Sequence, residues 1–336
     1  MTSASLPASW RRGAEFLGCA HPILGGAMSW LSESRLVAAI SEAGGFGVIA
    51  GGGMPPELLR GMIQETRRLT GRPFGVNLIT MHPQLPELVQ MVVNERVSHV
   101  VLAGGLPGGE TIRALKEGGI KVLAFAPALS LAKRLIKQGV DALVIEGHEA
   151  GGHVGPVSTS VLAQEILPQV TEIPVFVAGG IATGAMMAGY AALGAAGCQL
   201  GTRFVCTTEC IAHDHFKQAF LRAQSRDAQV TPQFDPALPV IPVRALTNKG
   251  TQTYAALQLE LLQQVKSGAK EKKAAILELE HFWVGALRRA AIDGDVEHGS
   301  VMAGQSVGLV NAVQPTAEVV RELMDGAMAE WGPRGG

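Results

Sequence analysis

The chain has 336 residues, of which 47% are apolar and 17% are charged, and this composition excludes an intrinsically disordered protein, which would be charge-rich and poor in apolar residues. Its 28 basic and 29 acidic residues give a net charge of −1, so no overall electrostatic attraction is expected toward nucleic acid or an anionic membrane. Four scattered cysteines and an N-terminus without an apolar signal region indicate a cytoplasmic protein in a reducing compartment.

Eight short apolar runs recur along the first 204 residues, and their starting points are 21 to 31 residues apart. Most are apolar throughout, as expected of parallel strands covered on both faces. Helical patterns fill the gaps, and the one at 32–45 predicts a helix capped by Ser32. Eight such units predict an α/β fold, a (β/α)8 TIM barrel, rather than a doubly wound open sheet. The runs occupy residues 22–28, 46–52, 74–79, 99–105, 121–127, 142–147, 173–180 and 197–204.

The remainder of the chain is richer in helical patterns and in charge. We predict a helical lid subdomain at 225–295, inserted after the eighth strand, and a barrel formed by 15–224 and 296–336. The uncharged stretch 173–202 is long enough to span a bilayer, but its seven glycines favour a strand, a turn, a helix and a second strand. No membrane span is therefore expected.

Glycines end the seventh and eighth runs, at Gly179-Gly180 and at Gly201, which Thr202 follows. TIM barrels often bind phosphate between the loops that follow these two strands, where bare backbone N–H groups approach the anion closely. The four residues are thus a candidate phosphate cradle. The alternative is that the glycines only form tight turns. No G-x-G-x-x-G follows the first run, so a Rossmann nucleotide site is not indicated.

The segment EGHEAGGHVG follows the sixth run and places histidines and glutamates among four glycines. His153 is the candidate for proton transfer, ahead of His148, because such groups at the carboxyl end of a barrel strand lie at the active-site face. Metal binding is the alternative, but H-E-x-x-x-H is one residue longer than the helical zinc motif. A second group, Cys206, Cys210, His213 and His215, also lacks zinc-site spacing, so we predict no metal.

Several motifs together resemble one known family. They are AGGFGVIAGGG, RPFGVNL, EGHEAGGHVG, VFVAGGIATG, QLGTRF and GDVEHGSVMAGQ, and the likeness spans nearly the whole chain. The chain is similar to the FMN-dependent nitronate monooxygenases, formerly 2-nitropropane dioxygenases, a family that includes the flavoprotein enoyl-acyl-carrier-protein reductase II. One departure is the sequence Gly25-Gly26-Ala27-Met28, where the family has Q-G-G-M, and it changes flavin contacts or the room for substrate.

The resemblance implies FMN in the barrel mouth, with its phosphate on the four residues of the candidate cradle. It implies that His153 is the catalytic histidine and that Gly151 and Gly152 let their loop pass close to the flavin. The isoalloxazine and ribityl contacts implied are Ala27, Met28, Asn77 and Gln199, and the residues implied to line the site where the chain returns to it are Ser300, Met302 and Gln305.

Two reactions are compatible with this resemblance. The one we expect is oxidation of a small alkyl nitronate or nitroalkane with O2 to a carbonyl compound and nitrite, because the general pattern is typical of that group. The alternative is NAD(P)H-dependent reduction of an enoyl thioester, in which the basic stretch Lys266, Lys270, Lys272 and Lys273 would meet an acidic acyl carrier protein. That stretch is otherwise a solvated helix face. A homodimer is also expected.

Overall fold

The computed structural model describes residues 6–331, and the predicted TIM barrel is confirmed. The sheet order is β1-β9-β8-β6-β5-β4-β3-β2, all parallel, and a bridge between Leu24 and Phe46 joins its two edges. Gly25 donates its N–H to the Phe46 carbonyl at 2.9 Å across this seam. The barrel strands are β1 (Ile23–Gly25), β2 (Val48–Ala50), β3 (Gly75–Ile79), β4 (His99–Ala103), β5 (Lys121–Phe125), β6 (Ala142–Glu146), β8 (Val175–Ala178) and β9 (Gly197–Leu200).

Helices surround these strands and occupy most of the connections. None of the helices in residues 6–331 combines the length and the apolar character that a bilayer crossing requires, and residues 173–202 contain β8, α8 and β9. The helices are α1 (Ala8–Leu17), α2 (Ser34–Glu42), α3 (Pro56–Leu69), α4 (Leu85–Asn94), α5 (Gly109–Glu117), α6 (Leu129–Lys137), α7 (Thr159–Ile166), α8 (Gly184–Ala192), α9 (Thr202–Val205), α10 (Asp214–Arg222), α11 (Lys249–Lys266), α12 (Lys272–Ala291) and α13 (Thr316–Trp331).

The predicted Ser32 cap of α2 is wrong. Glu33 is the capping residue, and its carboxylate accepts hydrogen bonds from two backbone N–H groups of the first turn. The Ser32 hydroxyl instead donates to the Gly26 carbonyl at 2.7 Å and accepts from the Met28 N–H at 2.9 Å. Glu33 is one residue nearer to the helix, and its longer side chain reaches the unpaired N–H groups there. Ser32 is thereby left to brace the loop that follows β1.

The barrel interior is filled by large apolar side chains, which include Leu24, Phe46 and Phe176. Helix α1 lies at the amino-terminal end of the barrel, starts before the predicted boundary at residue 15, and contributes Leu17 to the same cluster. Burying such side chains removes apolar surface from water and stabilises each by about 1.5–3 kcal/mol. The barrel is therefore a packed core that is covered at this end.

The inserted segment, predicted as helical, also contains strands. Helices α11 and α12 share an apolar core that includes Tyr254 and Trp283. Strands β10 (Ala228–Val230) and β11 (Val243–Leu246) join the short strand β7 (Gly152–His153) in an antiparallel sheet. Val243 pairs with His153 across this sheet. The strands form because the loop after β6 and the insertion satisfy each other's backbone groups.

His99 is buried at the amino-terminal end of the barrel, with only 3% of its surface exposed. Its Nε2 lies 2.9 Å from the Phe16 carbonyl oxygen and its Nδ1 lies 2.9 Å from the Ser98 hydroxyl. The rings of Phe16 and Phe46 pack edge-on against it, with centroids at 5.2 and 4.8 Å. Burial lowers the pKa of His99 to about 4, because the charged ring loses its hydration there.

We expect this histidine to make the fold sensitive to mild acid. Between pH 6.5 and pH 4, His99 is protonated in the unfolded chain but stays neutral in the folded chain. The free energy of unfolding therefore decreases as the pH falls through this range, and the stability present above pH 6.5 is lost. The contribution between pH 7 and pH 5 is about 2 kcal/mol of unfolding free energy. Urea denaturation at both pH values should show a smaller difference for His99→Gln than for wild type. The exposed His281→Gln is the matched control, and an equal pH dependence in all three proteins would contradict the assignment.

Candidate active site

Gly179 and Gly180 follow β8 at the carboxyl-terminal face of the barrel. Their φ angles of +94° and +72° lie in the left-handed region, which side-chain-bearing residues rarely adopt. A Cβ on Gly180 would lie 3.1 Å from the Glu149 Cβ, and one on Gly179 would lie 3.0 Å from the Thr159 Oγ1. Both the backbone conformation and the available space therefore require a bare backbone at this turn.

Gly201 and Thr202 follow β9, next to the same face. A Cβ on Gly201 would lie 3.5 Å from the sulfur of Met28, so the loops after β1 and β9 adjoin. The Thr202 hydroxyl accepts a hydrogen bond from the Gly304 N–H at 3.0 Å, which ties the returning chain to the start of α9. The structure thus brings Met28, Gly201 and Thr202 together.

A cavity of about 330 Å³ opens beside Gly179 and Gly180. Its size is in the range of small-molecule sites. Its wall contains Glu149, Tyr190 and Gln305, and Gln305 is one of the three residues predicted from the returning segment. The bare backbone of Gly179 and Gly180 beside this cavity suits the phosphate end of a cofactor. The carboxylate of its wall, that of Glu149, accepts hydrogen bonds from the N–H and the hydroxyl of Thr159, so the residues present fit the predicted FMN.

Two predicted residues lie inside the barrel near its mouth. Asn77 on β3 is 5% exposed, and its amide donates to the Val101 carbonyl at 2.9 Å. Gln199 on β9 is also buried, and Ala27 lies in the loop after β1.

Glu146, at the end of β6, was not among the predicted site residues. Burial raises the pKa of Glu146 to about 7, and its only sequence signal is its place at a strand end.

His153 lies in β7, on the loop between β6 and α7, with 44% of its side chain exposed. Its Nε2 is 3.2 Å from Oε2 of Glu280 on α12. The preceding glycines pack against the returning chain. A Cβ on Gly151 would be 2.6 Å from the Gly304 nitrogen, and one on Gly152 would be 3.7 Å from the Met302 sulfur.

Arg244 on β11 fastens the other end of this loop. It is 3% exposed, and its Nε and Nη2 donate to the His148 carbonyl at 3.1 and 3.0 Å, while Nη1 donates to the Ala228 carbonyl. His148 itself places Nδ1 2.8 Å from the Gly155 carbonyl oxygen, within the loop. Arg244 and Glu280 were missed by the sequence analysis, because they lie 96 and 127 residues from their partners.

Ser300, which was predicted to line the site, is not among the residues that line this cavity. It is 1% exposed, and its N–H donates to the Ala286 carbonyl of α12 at 2.8 Å. Met302, two residues later, packs against both the barrel core and the core of the insertion. In the returning segment, Gln305 therefore lines the cavity, Met302 adjoins Gly152, and Ser300 is hydrogen-bonded to α12.

Comparison with known proteins agrees with this architecture. A family model described as nitronate monooxygenase matches residues 12–326. A Rhodococcus jostii protein named (3aS,4S,5R,7aS)-5-hydroxy-7a-methyl-1-oxo-octahydro-1H-indene-4-carboxyl-CoA dehydrogenase is 32% identical, with 94% of each chain covered. The nitronate monooxygenase of Paraburkholderia phytofirmans is 28% identical, covering 91% of this chain and 92% of its own.

Two solved structures extend the likeness. FabK from Thermotoga maritima has a TM-score of 0.86 and 38% identity over 96% of this chain and 98% of its own. The nitroalkane oxidase of Streptomyces ansochromogenes has a TM-score of 0.77 and 25% identity over 96% and 99%. The chain belongs to the nitronate monooxygenase family and is an oxidoreductase built on a TIM barrel.

Proposed function

We propose that this protein is an FMN-dependent oxidoreductase that reduces the enoyl group of an acyl thioester with NAD(P)H. The observation that carries the proposal is the presence of exposed apolar side chains on loops at the carboxyl-terminal face of the barrel. Trp30, Met81 and Leu106 are exposed by 38%, 70% and 38%, and they lie in the loops after β1, β3 and β4. Loops after parallel barrel strands share the face that carries His153. Exposed large apolar side chains at a site suit an acyl chain better than a small nitronate.

The charge around His153 supports the same choice. Glu280 holds a carboxylate within 3.2 Å of the ring, where it would repel an anionic nitronate. An enoyl thioester carries no charge at its reacting atoms and meets no such repulsion. The relatives also support a thioester, since the Rhodococcus protein is named for a carboxyl-CoA substrate and FabK is an enoyl-acyl-carrier-protein reductase.

In the proposed reaction, the residues of the candidate cradle would bind the cofactor and His153 would transfer the proton. Gly179, Gly180, Gly201 and Thr202 would hold the FMN phosphate through backbone N–H groups and a hydroxyl. Bound FMN supplies the hydride chemistry between NAD(P)H and the β-carbon of the enoyl group. His153 delivers the balancing proton from solvent to the α-carbon, which leaves a saturated thioester and NAD(P)+.

Nitronate oxidation is the second candidate. The matched family is described by that activity, and the Paraburkholderia relative has the same name. In that reaction the nitronate is oxidised to a carbonyl compound and nitrite, and O2 is reduced. His153 would orient the nitronate, or remove the α-proton of a neutral nitroalkane as a base.

The basic stretch does not by itself select a carrier protein as the thioester donor. Lys266 pairs with Asp235, and Lys270 pairs with Glu278. Lys272 and Lys273 are exposed at the start of α12. Since two of the four positive charges are neutralised nearby, a coenzyme A thioester is the simpler first substrate to test.

An anaerobic titration distinguishes the two reactions. We expect NADH or NADPH to bleach the flavin absorbance of the purified protein, and a long-chain trans-2-enoyl-CoA to restore it. Propane-2-nitronate added to the oxidised protein should have little effect. Bleaching by the nitronate with nitrite release, and none by either nicotinamide, would assign nitronate oxidation instead.

Substitution of Gly180 tests the cradle. Gly180→Asp places a carboxylate beside the phosphate, so we expect FMN affinity to fall by at least about 100-fold, since each 1.4 kcal/mol of repulsion is tenfold. Gly180→Ala adds the same Cβ without the charge, so its FMN affinity should fall by less than that of Gly180→Asp. Gly61→Asp, in open space on α3, is the matched control. A yellow Gly180→Asp protein with normal affinity would refute the cradle.

Substitution of His153 tests proton transfer. We expect His153→Ala to keep FMN and to lose about 100-fold or more of kcat with the enoyl thioester, as is typical for loss of a general acid. Flavin absorbance and steady-state kinetics measure the two effects separately. His298→Ala, at an exposed residue bonded to Asp295, is the control. Full turnover of His153→Ala would exclude the role.

A further inference from the structure

We propose that Glu280 is a positioning residue, which fixes the orientation and tautomer of His153 and makes the site depend on docking of the insertion. The catalytic consequence rests on the proposed function, whereas the geometric one does not. The carboxylate of Glu280 accepts hydrogen bonds and lies 3.2 Å from Nε2, so Nε2 carries the hydrogen. In the neutral ring, Nδ1 is then the nitrogen that takes up a proton from solvent, and the imidazolium so formed passes it to the substrate.

The carboxylate nearest in sequence is unavailable for this role. Glu149 lies four residues before His153, but its Oε2 accepts from the Thr159 N–H at 2.8 Å and from the Thr159 hydroxyl at 2.9 Å. It is thereby held at the start of α7. Glu280, which is 35% exposed, reaches His153 from the inserted helix.

The other titratable groups packed around the pair do not compete for it. Tyr254 on α11 lies near Glu280, and burial raises its pKa to about 12, so the phenol stays neutral. Arg244 on β11 neighbours the loop, but its guanidinium donates to the carbonyls of His148 and Ala228. The hydrogen-bonded pair of His153 and Glu280 therefore has no second charged side chain within ion-pair distance among residues 6–331.

The placement of Glu280 depends on how α12 docks on the barrel. One turn further along α12, the Val284 carbonyl accepts from the Trp30 indole N–H at 3.3 Å. Ala286 accepts from the Ser300 N–H at 2.8 Å. Trp30 has a φ of +68°, a conformation that costs a non-glycine residue energy and persists only where the surroundings hold it. The loop after β1 and the returning segment thus set the position of the carboxylate.

This arrangement predicts a specific kinetic pattern. Glu280→Ala should lower kcat with the enoyl thioester by about 10-fold or more, the size typical of a lost partner behind a functional histidine, with KM nearly unchanged. Glu280→Gln keeps an acceptor oxygen for the Nε2–H and should retain most of the rate. When His153 has already been replaced by alanine, the additional substitution Glu280→Ala should not lower kcat further, because the side chain that Glu280 positions is absent.

The deciding experiment is ¹⁵N NMR of the histidine-labelled holoenzyme at alkaline pH, with the His153 signals assigned from His153→Ala. In wild type we expect Nδ1 at the shift of an unprotonated nitrogen and Nε2 at that of a protonated one. Glu280→Ala should move both toward the averaged values of free imidazole, whereas Glu278→Gln on the same helix should not. No substrate is needed, so the result stands even if enoyl thioesters are not turned over. Unchanged shifts in Glu280→Ala would overturn the proposal.

Discussion

The antiparallel pairing between β7 and β11 is the interaction on which the active-site face depends. The loop after β6 is rich in glycine, and such a backbone loses much conformational entropy when it becomes fixed. Pairing with the insertion, the hydrogen bonds of Arg244 and the contact with Glu280 offset that cost. The barrel supplies a rigid platform, but the inserted segment determines where the histidine lies above it.

The barrel was predictable because most of its strands lie in continuous apolar runs and the spacing of these runs is regular. The glycine turns could also be located, since the carboxyl ends of parallel strands meet at one face. The residues that hold His153 could not, because Glu280 is 127 positions away and joins it only through packing of the insertion. Ser32 shows the same limit at short range. Its hydroxyl binds the loop after β1, because the carboxylate of Glu33, one residue closer to α2, caps the helix.

The motifs of the family do not by themselves distinguish nitronate oxidation from enoyl reduction. In both proposed reactions the candidate phosphate turns and His153 would have the same roles. The proposal rests instead on features outside these motifs, namely exposed apolar side chains on three loops of the carboxyl-terminal face and a carboxylate that α12 contributes next to His153. These belong to loops and to an insertion, whose relative placement arises only in the folded chain.

The covered amino-terminal end of the barrel has a consequence for the order of events in catalysis. Helix α1 and the packed interior block passage through the barrel, so the two substrates of the proposed reaction would both reach the site from the carboxyl-terminal face. Two bulky molecules that compete for one entrance occupy it in turn. In the proposed reaction the first product would therefore leave before the second substrate enters, and the rate law would be ping-pong, with parallel double-reciprocal plots.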